Sequence, residues 1–391
     1  MRGRRSGVGG RRGVEGLVFF ALASGAGVAQ AQTPVYRAVV VAEARDEVTF
    51  IAFTPGTGAV IERTHTVGVN FMEPDGPHGV TVSADGKQYY VTTAHGTPYG
   101  YLWKFDAATH AVLGRVELGN FPASLQVNID GSVAYVVNFN LHGEMVPSSV
   151  SIVSTDPFVE LARVQTCTMP HGSRLSPDGT KHYSVCMMDE TLVEIDTRTF
   201  SVARHFLLTR GQEHGSTGPP MRHAATAGHD DHGGHGSTAP PAATAKCSPT
   251  WAQPASSGRT VFVACNASSD IAEVDVDTWT LKRRIPAGEG VYNLAVTRDG
   301  TRLVATNKRG RSVSVIDLQS GKAVATIATQ RRVVHGVAIT PDDLYAFISV
   351  EGIGSEPGTV EVIDLRSLTR VASVDVGQMA GGIDVLVAPH R

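Results

Sequence analysis

The feature that most constrains this chain is a hairpin signal that recurs along it at a nearly constant interval. Asp-Gly pairs supply the left-handed backbone that a tight turn between antiparallel strands needs. Successive turns are spaced by 45, 48, 79, 42 and 43 residues. A period of roughly 40–50 residues is typical of four-stranded propeller blades. Because one interval is nearly doubled, we expect one insertion in a regular array. The turns, one of them degenerate, are Ser83–Gly86, Asn128–Gly131, Ser176–Gly179, Ala255–Gly258, Thr297–Gly300 and Thr340–Asp343.

The segments between the turns predict four strands in each repeat. An apolar alternating strand precedes each turn, and a β-branched and aromatic strand follows it. Six complete units are visible, while residues 37–65 supply three outer strands and residues 382–387 supply an inner strand alone. Joining these termini makes a seventh blade and removes the strand edges that an open array would expose. We predict an all-β, seven-bladed β-propeller over residues 32–391, closed by pairing of its N- and C-terminal strands near residues 37–42 and 382–388.

Residues 1–31 have the three parts of a secretory signal peptide. Five Arg residues come first, Leu17–Val28 is apolar, and Ala29-Gln30-Ala31 has the small-x-small pattern of a cleavage site. We therefore predict a periplasmic or secreted protein without a membrane span after cleavage. An uncleaved membrane anchor is the alternative, because apolar signal regions and short anchors overlap in length.

Charge and motifs exclude several classes of function. The formal net charge is −3 and the pI is about 6.6, so the chain has no basic footprint for nucleic acid. It has no Gly-rich phosphate loop and no Cys-x-x-Cys-His sequence, so neither a nucleotide nor a c-type haem is indicated. We expect a monomer that presents one propeller face to a protein or cell-envelope partner.

The repeats also carry a resemblance to a known family. The second strand, Tyr-Val-Val-Asn at 135–138, and the turn Ser-Pro-Asp-Gly at 176–179 resemble the YVTN-type β-propeller repeat family of secreted bacterial proteins. More distantly, the repeats are similar to those of the propeller domains of nitrous oxide reductase and of haem d1 nitrite reductase. The resemblance implies the fold and leaves the function open, because propellers host enzymes, scaffolds and binding modules.

Histidine recurs at the entrance of the predicted inner strands. His78, His171 and His335 stand at equivalent positions of three repeats, and equivalent positions in a ring converge. His95 and His142 lie in loops between second and third strands, which belong to the same face. Because imidazole is a common ligand of late first-row metals, we predict a copper or zinc site at this mouth of the channel. The alternative is that these histidines only hydrogen-bond between blades.

The long interval places an insertion at residues 208–246, between blades three and four. Its background of Gly, Ser, Thr, Ala and Pro predicts a flexible segment without a packed core. A histidine tract on the same face as the inner-strand histidines could collect copper, zinc or nickel. The alternative is a solvated loop without metal chemistry. The candidate ligands are His214, His223, His229, His232 and His235.

The four cysteines occupy equivalent places in blades three and four. One of each pair precedes the inner strand, and the other ends the second strand, where antiparallel pairing brings them together. We predict the disulfides Cys167–Cys186 and Cys247–Cys265, one of three possible connectivities, as expected of an exported protein. Thiolate ligation of a metal is the alternative, with Cys167 four residues before His171.

Three classes of function follow from these features. The first is an exported binding or scaffold protein, which the repeat family favours and which can include a metal at the channel mouth. The second is a copper- or zinc-dependent periplasmic enzyme or metal-delivery protein, which the histidines favour. The third is a carrier of a haem d1-type cofactor, which needs a broad mouth and an axial histidine.

Overall fold

The computed structural model describes most of the chain: residues 10, 33–70, 72–95, 99–220 and 246–386. The chain divides into two units, Met1–Thr33 and Pro34–Arg391. The predicted signal peptide and its cleavage site lie outside the described residues, apart from Gly10. Among the helices of the described residues, none has the length and apolar character needed to cross a membrane.

The described residues of the second unit form 29 antiparallel strands. In chain order they are β1 (Tyr36–Ala42), β2 (Glu47–Thr54), β3 (Gly58–Thr66), β4 (Pro77–Val82), β5 (Gln88–Thr93), β6 (Tyr101–Asp106), β7 (Val112–Glu117), β8 (Pro122–Val127), β9 (Val133–Asn138), β10 (Pro147–Thr155), β11 (Phe158–Thr168), β12 (Pro170–Leu175), β13 (Lys181–Cys186), β14 (Thr191–Asp196), β15 (Ser201–Leu207), β16 (His214–Thr217), β17 (Pro249–Pro254), β18 (Thr260–Cys265), β19 (Asp270–Asp275), β20 (Thr280–Pro286), β21 (Val291–Val296), β22 (Arg302–Asn307), β23 (Ser312–Asp317), β24 (Lys322–Ala328), β25 (Val333–Ile339), β26 (Tyr345–Glu351), β27 (Gly358–Asp364), β28 (Thr369–Val376) and β29 (Ala380–Leu386).

These strands form the seven blades of a β-propeller, which confirms the predicted fold class. Blades one to six are β4–β7, β8–β11, β12–β16, β17–β20, β21–β24 and β25–β28, and blade seven is β29 followed by β1–β3. The predicted closure is confirmed, because β1 pairs antiparallel with β29 from Arg37 opposite Leu386 to Ala42 opposite Ala380. A short 3-10 turn, Glu43–Arg45, connects β1 and β2.

Burial follows the position of a strand within its blade. The second strands are packed between neighbouring blades on both faces, and β18 is buried at all of its residues. The outer strands instead alternate, and β7 exposes four of its six residues. The core therefore lies between blades: Val137 of blade two packs in one cluster with Cys186 and Val193 of blade three. This burial explains the continuous β-branched and aromatic runs after each turn.

Hydroxyl groups join successive blades near the channel. Thr92 accepts the Gly79 amide of its own blade at 2.9 Å and donates to the carbonyl of Ala123 in the next blade at 2.9 Å. Thr306 links blades five and six in the same way by donating to the carbonyl of His335 at 2.9 Å. These bonds satisfy backbone groups that the inner edge strand leaves unpaired, and they fix where the inner strands begin.

Both predicted disulfides are confirmed: Cys167 is bonded to Cys186, and Cys247 is bonded to Cys265. Glu190 forms hydrogen bonds with residues at both ends of the insertion. Its backbone carbonyl accepts the amide of Leu208 at 2.7 Å, and its carboxylate accepts the amides of Cys247 and Ser248 at 2.5 and 3.0 Å.

The insertion is more ordered at its start than its composition predicts. Leu208 is fully buried, and β16 adds a fifth strand to blade three by pairing with β15. The prediction of a flexible segment without packed structure over all of 208–246 is therefore wrong for its first residues. These first residues are ordered because β16 pairs with β15, whose free edge accepts one more strand. Residues 221–245 lie outside the described residues.

Candidate functional site

The inner strands begin with an unusual backbone. In six blades the residue before the inner strand has a positive φ, which non-glycine residues adopt at a cost of roughly 1–3 kcal/mol each. A register shift follows within each of these strands, for example between Pro170 and Ser173 of β12. Such a bulge re-aims a side chain. The left-handed residues are Gly76, Phe121, Met169, Ser248, Gly290 and Met379.

This geometry brings the three inner-strand histidines together. The ring of His78 lies 6.2 Å from that of His171 and 5.7 Å from that of His335, measured between centroids. Tyr292 sits between the other two, 5.4 Å from the ring of His171 and 4.9 Å from that of His335. We call these four residues the channel mouth.

Glu43 bridges two of the predicted histidines. Its Oε2 lies 2.8 Å from Nδ1 of His78, and its Oε1 contacts Nε2 of His95. Burial alone raises the pKa of Glu43, but the charges and hydrogen bonds of both histidines outweigh burial and hold that pKa well below its usual range. The same hydrogen bond raises the pKa of His95 against the effect of burial. Glu43 is therefore an ionised carboxylate that orients two imidazoles.

The backbone fixes the tautomer of His171. Its Nδ1 lies 2.8 Å from the carbonyl oxygen of Thr250, which can only accept, so Nδ1 carries the proton. Nε2 then has the lone pair and accepts the hydroxyl of Tyr292 at 3.0 Å. Burial, aided by the charge of His78, lowers the pKa of His171 to about 3, and burial raises that of Tyr292. His171 is thus a neutral imidazole that also links blades three and four.

His335 has the least satisfied ring of the mouth. Its Nδ1 is buried and has no hydrogen-bond partner within the described part of the chain, while its Nε2 lies 3.8 Å from Oε1 of Glu351. Burial lowers the pKa of His335 well below 6.5. Lys308 lies 3.5 Å from the same Glu351 oxygen and 4.3 Å from the centre of the Tyr292 ring. A neutral histidine therefore stands beside a separate ion pair.

The other predicted ligands lie farther out. His142 is exposed, and its ring is 5.5 Å from that of His95 and 5.4 Å from that of Phe121, which separates it from the channel mouth. His214 is exposed in β16, at the outer edge of its blade, with Nδ1 2.8 Å from the carbonyl of Gln212. The remaining insertion candidates lie outside the described residues: His223, His229, His232 and His235.

No closed set of metal ligands is formed in this side-chain arrangement. Across the described ranges, no three His, Cys, Asp or Glu side chains meet in a geometry that could hold an ion. The disulfides also remove both cysteines of each pair as thiolate ligands, so the alternative of ligation through Cys167 is wrong. What the mouth offers is two neutral imidazoles, those of His171 and His335, and a third, that of His78, held by the ionised carboxylate of Glu43.

Sequence reasoning missed Glu43 and Glu351. Glu43 belongs to a short turn that shares no motif with the other repeats. Glu351 ends a second strand, where blades one to five carry Thr, Asn or Cys. Aligning the ends of the second strands could have found Glu351. Glu43 is placed beside His78 by the packing of blade seven against blade one.

Comparison with known proteins supports the β-propeller fold and does not assign a function. No family model and no curated protein matches the sequence, so membership of the YVTN repeat family stays a prediction. Among solved structures, the chain is similar to a functionally unknown protein from Desulfotomaculum acetoxidans DSM 771, with a TM-score of 0.63 and 16% identity over 89% of this chain and 98% of that one.

Two further structures have the same architecture. Hydrazine synthase of Kuenenia stuttgartiensis matches with a TM-score of 0.61 and 18% identity, over 83% of this chain and 94% of that one. A protein from Lactobacillus plantarum matches with a TM-score of 0.64 and 13% identity, over 90% of this chain and all of that one (100%). At such identities the likeness shows the β-propeller fold alone.

Proposed function

We propose that this protein is an exported β-propeller that binds one late first-row transition-metal ion, copper first and zinc second, at the channel mouth. His78, His171 and His335 are the ligands, and His95 and His142 lie outside them. The observation that carries the proposal is the pairing of His78 with Glu43. A carboxylate on Nδ1 orients the ring, leaves the Nε2 lone pair for a metal and increases its basicity, which is the usual arrangement around metal-binding histidines.

The spacing of the rings supports a shared ion. A metal bound at about 2.0–2.1 Å from an imidazole nitrogen lies roughly 3 Å from the ring centre, so two rings on one ion are about 5–6 Å apart. The rings of His171 and His335 lie 6.2 and 5.7 Å from that of His78. The second separation lies within this range and the first is slightly above it, so a shared ion requires the rings to turn towards a common point.

The charges at the mouth favour a cation. Metal ligands must be deprotonated, and burial keeps His171 and His335 neutral at pH 7, so these two rings need not release protons on binding. Glu43 adds a negative charge beside His78. Copper is placed first because it heads the affinity order of divalent first-row metals for nitrogen ligands.

Binding carries one local cost. The hydroxyl of Tyr292 occupies Nε2 of His171, so that hydrogen bond is exchanged for the bond to the metal. A net hydrogen bond contributes about 0.5–1.5 kcal/mol, which is small beside the affinity of a multidentate imidazole site. Tyr292 thus tunes the affinity without preventing binding.

The test is a copper titration of full-length, metal-free protein, followed by competition with a chromogenic chelator and by elemental analysis. The double substitution of His78→Ala with His171→Ala should abolish binding of one equivalent, whereas His205→Ala, outside the mouth, should leave it intact. A third variant without residues 221–245 should keep the tight site. Tight binding that survives the double substitution and disappears with the deletion would assign the metal to the insertion and leave a scaffold protein.

Export is supported by the two disulfides, since such bonds form and persist in oxidising compartments. Mass measurement of the protein recovered from a bacterial periplasm should give a chain that begins at residue 32. A protein retained in the cytoplasm with residues 1–31 intact would contradict this part of the proposal.

A further inference from the structure

A second pair of imidazoles lies at the rim of the channel mouth. The rings of His95 and His142 are 5.5 Å apart between centroids and are tilted by 35° to each other. They come from the loops between the second and third strands of blades one and two. Two imidazoles that share one metal ion have ring centres about 5–6 Å apart. These two histidines, the outer pair, therefore already have the separation that a shared ion requires.

The outer pair is more accessible to solvent than the inner-strand histidines. His142 is exposed, and the side chain of His95 is 32% exposed. By contrast, His171 and His335 are only 3% and 7% exposed. An exposed imidazole can turn about its side-chain bonds and exchange water for a metal ion. An ion that approaches the propeller from this face therefore meets the outer pair first.

His95 is held in place by groups of blade seven and of the loop before blade one. Its Nε2 contacts Oε1 of Glu43, which leaves Nδ1 as the nitrogen that can take a metal. Its backbone amide donates to the carbonyl of Asp75 at 2.9 Å. Gly76 lies directly against the ring, where a Cβ would overlap Cδ2 of His95. Glu43 thus orients His95 as it orients His78, through a carboxylate on one ring nitrogen.

The loop that carries His142 is closed by its own hydrogen bonds. The amide of Gly143 donates to the carbonyl of Asn140 at 3.1 Å, and Nδ2 of Asn140 donates to the carbonyl of Glu144 at 2.9 Å. The ring of Phe121 lies 5.3 Å and 5.4 Å from the two imidazoles of the outer pair. The loop backbone is therefore fixed, while the exposed ring of His142 can adjust to an ion.

The charges beside the outer pair favour a cation. Glu43 is ionised, and the negative charges of Glu43 and Asp46 both act on His95. The carboxylate of Asp46 is fixed in the same turn, where it accepts the amides of Gly76 at 2.9 Å and Asp75 at 3.2 Å. Two carboxylates held in this way attract a metal ion to the rim.

We propose that His95 and His142 bind a second Cu(II) ion at the rim, and that ions reach the inner-strand histidines by way of this outer site. Two protein ligands leave the other coordination positions to water, so the outer ion binds more weakly and exchanges faster than the inner one. Glu43 contacts His95 through one oxygen and His78 through the other, so one carboxylate joins the two sites. The outer site rests on its own geometry, whereas the transfer of ions rests on the proposed function.

The test of the outer site uses full-length, metal-free protein and Cu(II) as the probe. Crystals soaked in copper chloride should show an anomalous copper peak between the rings of His95 and His142. In a Cu(II) titration, His142→Ala should bind one equivalent fewer than Leu141→Ala, the matched control at the neighbouring exposed position. Absence of the peak, or equal stoichiometry of the two variants, would overturn the outer site.

Two further measurements separate this proposal from that of the inner site. The double variant His78→Ala with His171→Ala should still bind the outer ion and should lose it when His142→Ala is added, even if no inner site exists. In stopped-flow mixing with one equivalent of Cu(II), His142→Ala should fill the inner site about tenfold more slowly than Leu141→Ala, because less copper is concentrated beside it. The equilibrium affinity of the inner site should stay unchanged. Equal rates of filling would overturn the transfer of ions through the outer site.

Discussion

Nδ1 of His78 lies 2.8 Å from Oε2 of Glu43, although the two residues are 35 positions apart and belong to blades one and seven. The contact joins the turn after β1 to the start of β4, across the interface between these two blades. It gives one histidine of the channel mouth an ionised partner, while His171 relies on a backbone carbonyl and a phenol. The imidazoles of the channel mouth therefore differ in their hydrogen-bond partners, and the substitutions below should separate their roles.

Glu43→Gln should lower copper affinity by about tenfold to a hundredfold, because loss of a carboxylate that orients a metal-bound histidine has effects of this size. The amide keeps the shape of the side chain and removes the charge. A chelator competition assay measures the change. Glu62→Gln, in an exposed ion pair with Arg37, is the control and should have no effect. Equal affinities of the Glu43 variant and the unsubstituted protein would remove Glu43 from the site.

Tyr292→Phe should tighten copper binding by roughly twofold to tenfold. Phenylalanine keeps the ring between His171 and His335 but cannot donate to Nε2 of His171, so the metal no longer competes with a hydrogen bond of about 0.5–1.5 kcal/mol. The same competition assay applies, with Tyr101→Phe on the outer part of blade one as the control. Weaker binding in Tyr292→Phe would mean that the hydroxyl is itself a ligand.

His182→Phe should raise the free energy of unfolding at pH 7 by about 1–3 kcal/mol. His182 is fully buried and stacked on Tyr135 at 5.1 Å, yet neither ring nitrogen has a hydrogen-bond partner among the described residues. Phenylalanine keeps the stacking and removes two unsatisfied atoms. Chemical denaturation measures the gain, and His182→Ala, which leaves a void, should lose stability instead.

His182→Phe should also weaken the dependence of the free energy of unfolding on pH below pH 7. Burial lowers the pKa of His182 to about 3 in the native state, whereas the unfolded chain binds this proton below about pH 6.5. Stability from this group is therefore complete above pH 6.5 and declines as the pH falls towards 3, by up to about 1.4 kcal/mol per pH unit. Denaturation curves between pH 4 and 7 should show a smaller slope for His182→Phe. An unchanged slope would contradict the assignment.

Deletion of residues 380–391 should sharply lower the melting temperature. It removes β29, the inner strand of blade seven, so β1 loses its partner and exposes an edge. Deletion of residues 387–391 alone, which leaves β29 intact, is the control and should melt close to the full chain. Similar melting of both truncated proteins would show that the closure contributes little.

Replacement of Cys247 and Cys265 by Ser together should cost about 2–4 kcal/mol, the usual range for a disulfide that closes a loop of this length. The disulfide lies where the insertion returns to blade four. Limited proteolysis of the variant should therefore cut the chain faster near residue 247 than in the unsubstituted protein. Peptide mapping of the unsubstituted protein should yield no link between Cys186 and Cys265.

The histidines of the mouth could be predicted because the repeats place equivalent residues in register. Counting back from the Asp-Gly turns reaches His78, His171 and His335 without any knowledge of the packing. The disulfides followed from the same register. The position of a residue around the ring can therefore be predicted from the sequence period when the residue lies in a repeated strand.

Residues outside the repeat pattern could not be found in this way. Glu43 reaches the mouth because the turn after β1, in blade seven, packs against the start of β4 in blade one. The β16 strand is too short to show an alternation, and it forms because β15 offers a free edge.

The closure between β1 and β29 also bears on what a bound ion would do to stability. His78 of blade one and His335 of blade six lie 5.7 Å apart, on either side of blade seven, in which β29 pairs with β1. An ion bound by both imidazoles would therefore favour the closed ring over any state in which β29 has left β1. The melting temperature of the propeller should then rise with the concentration of free copper.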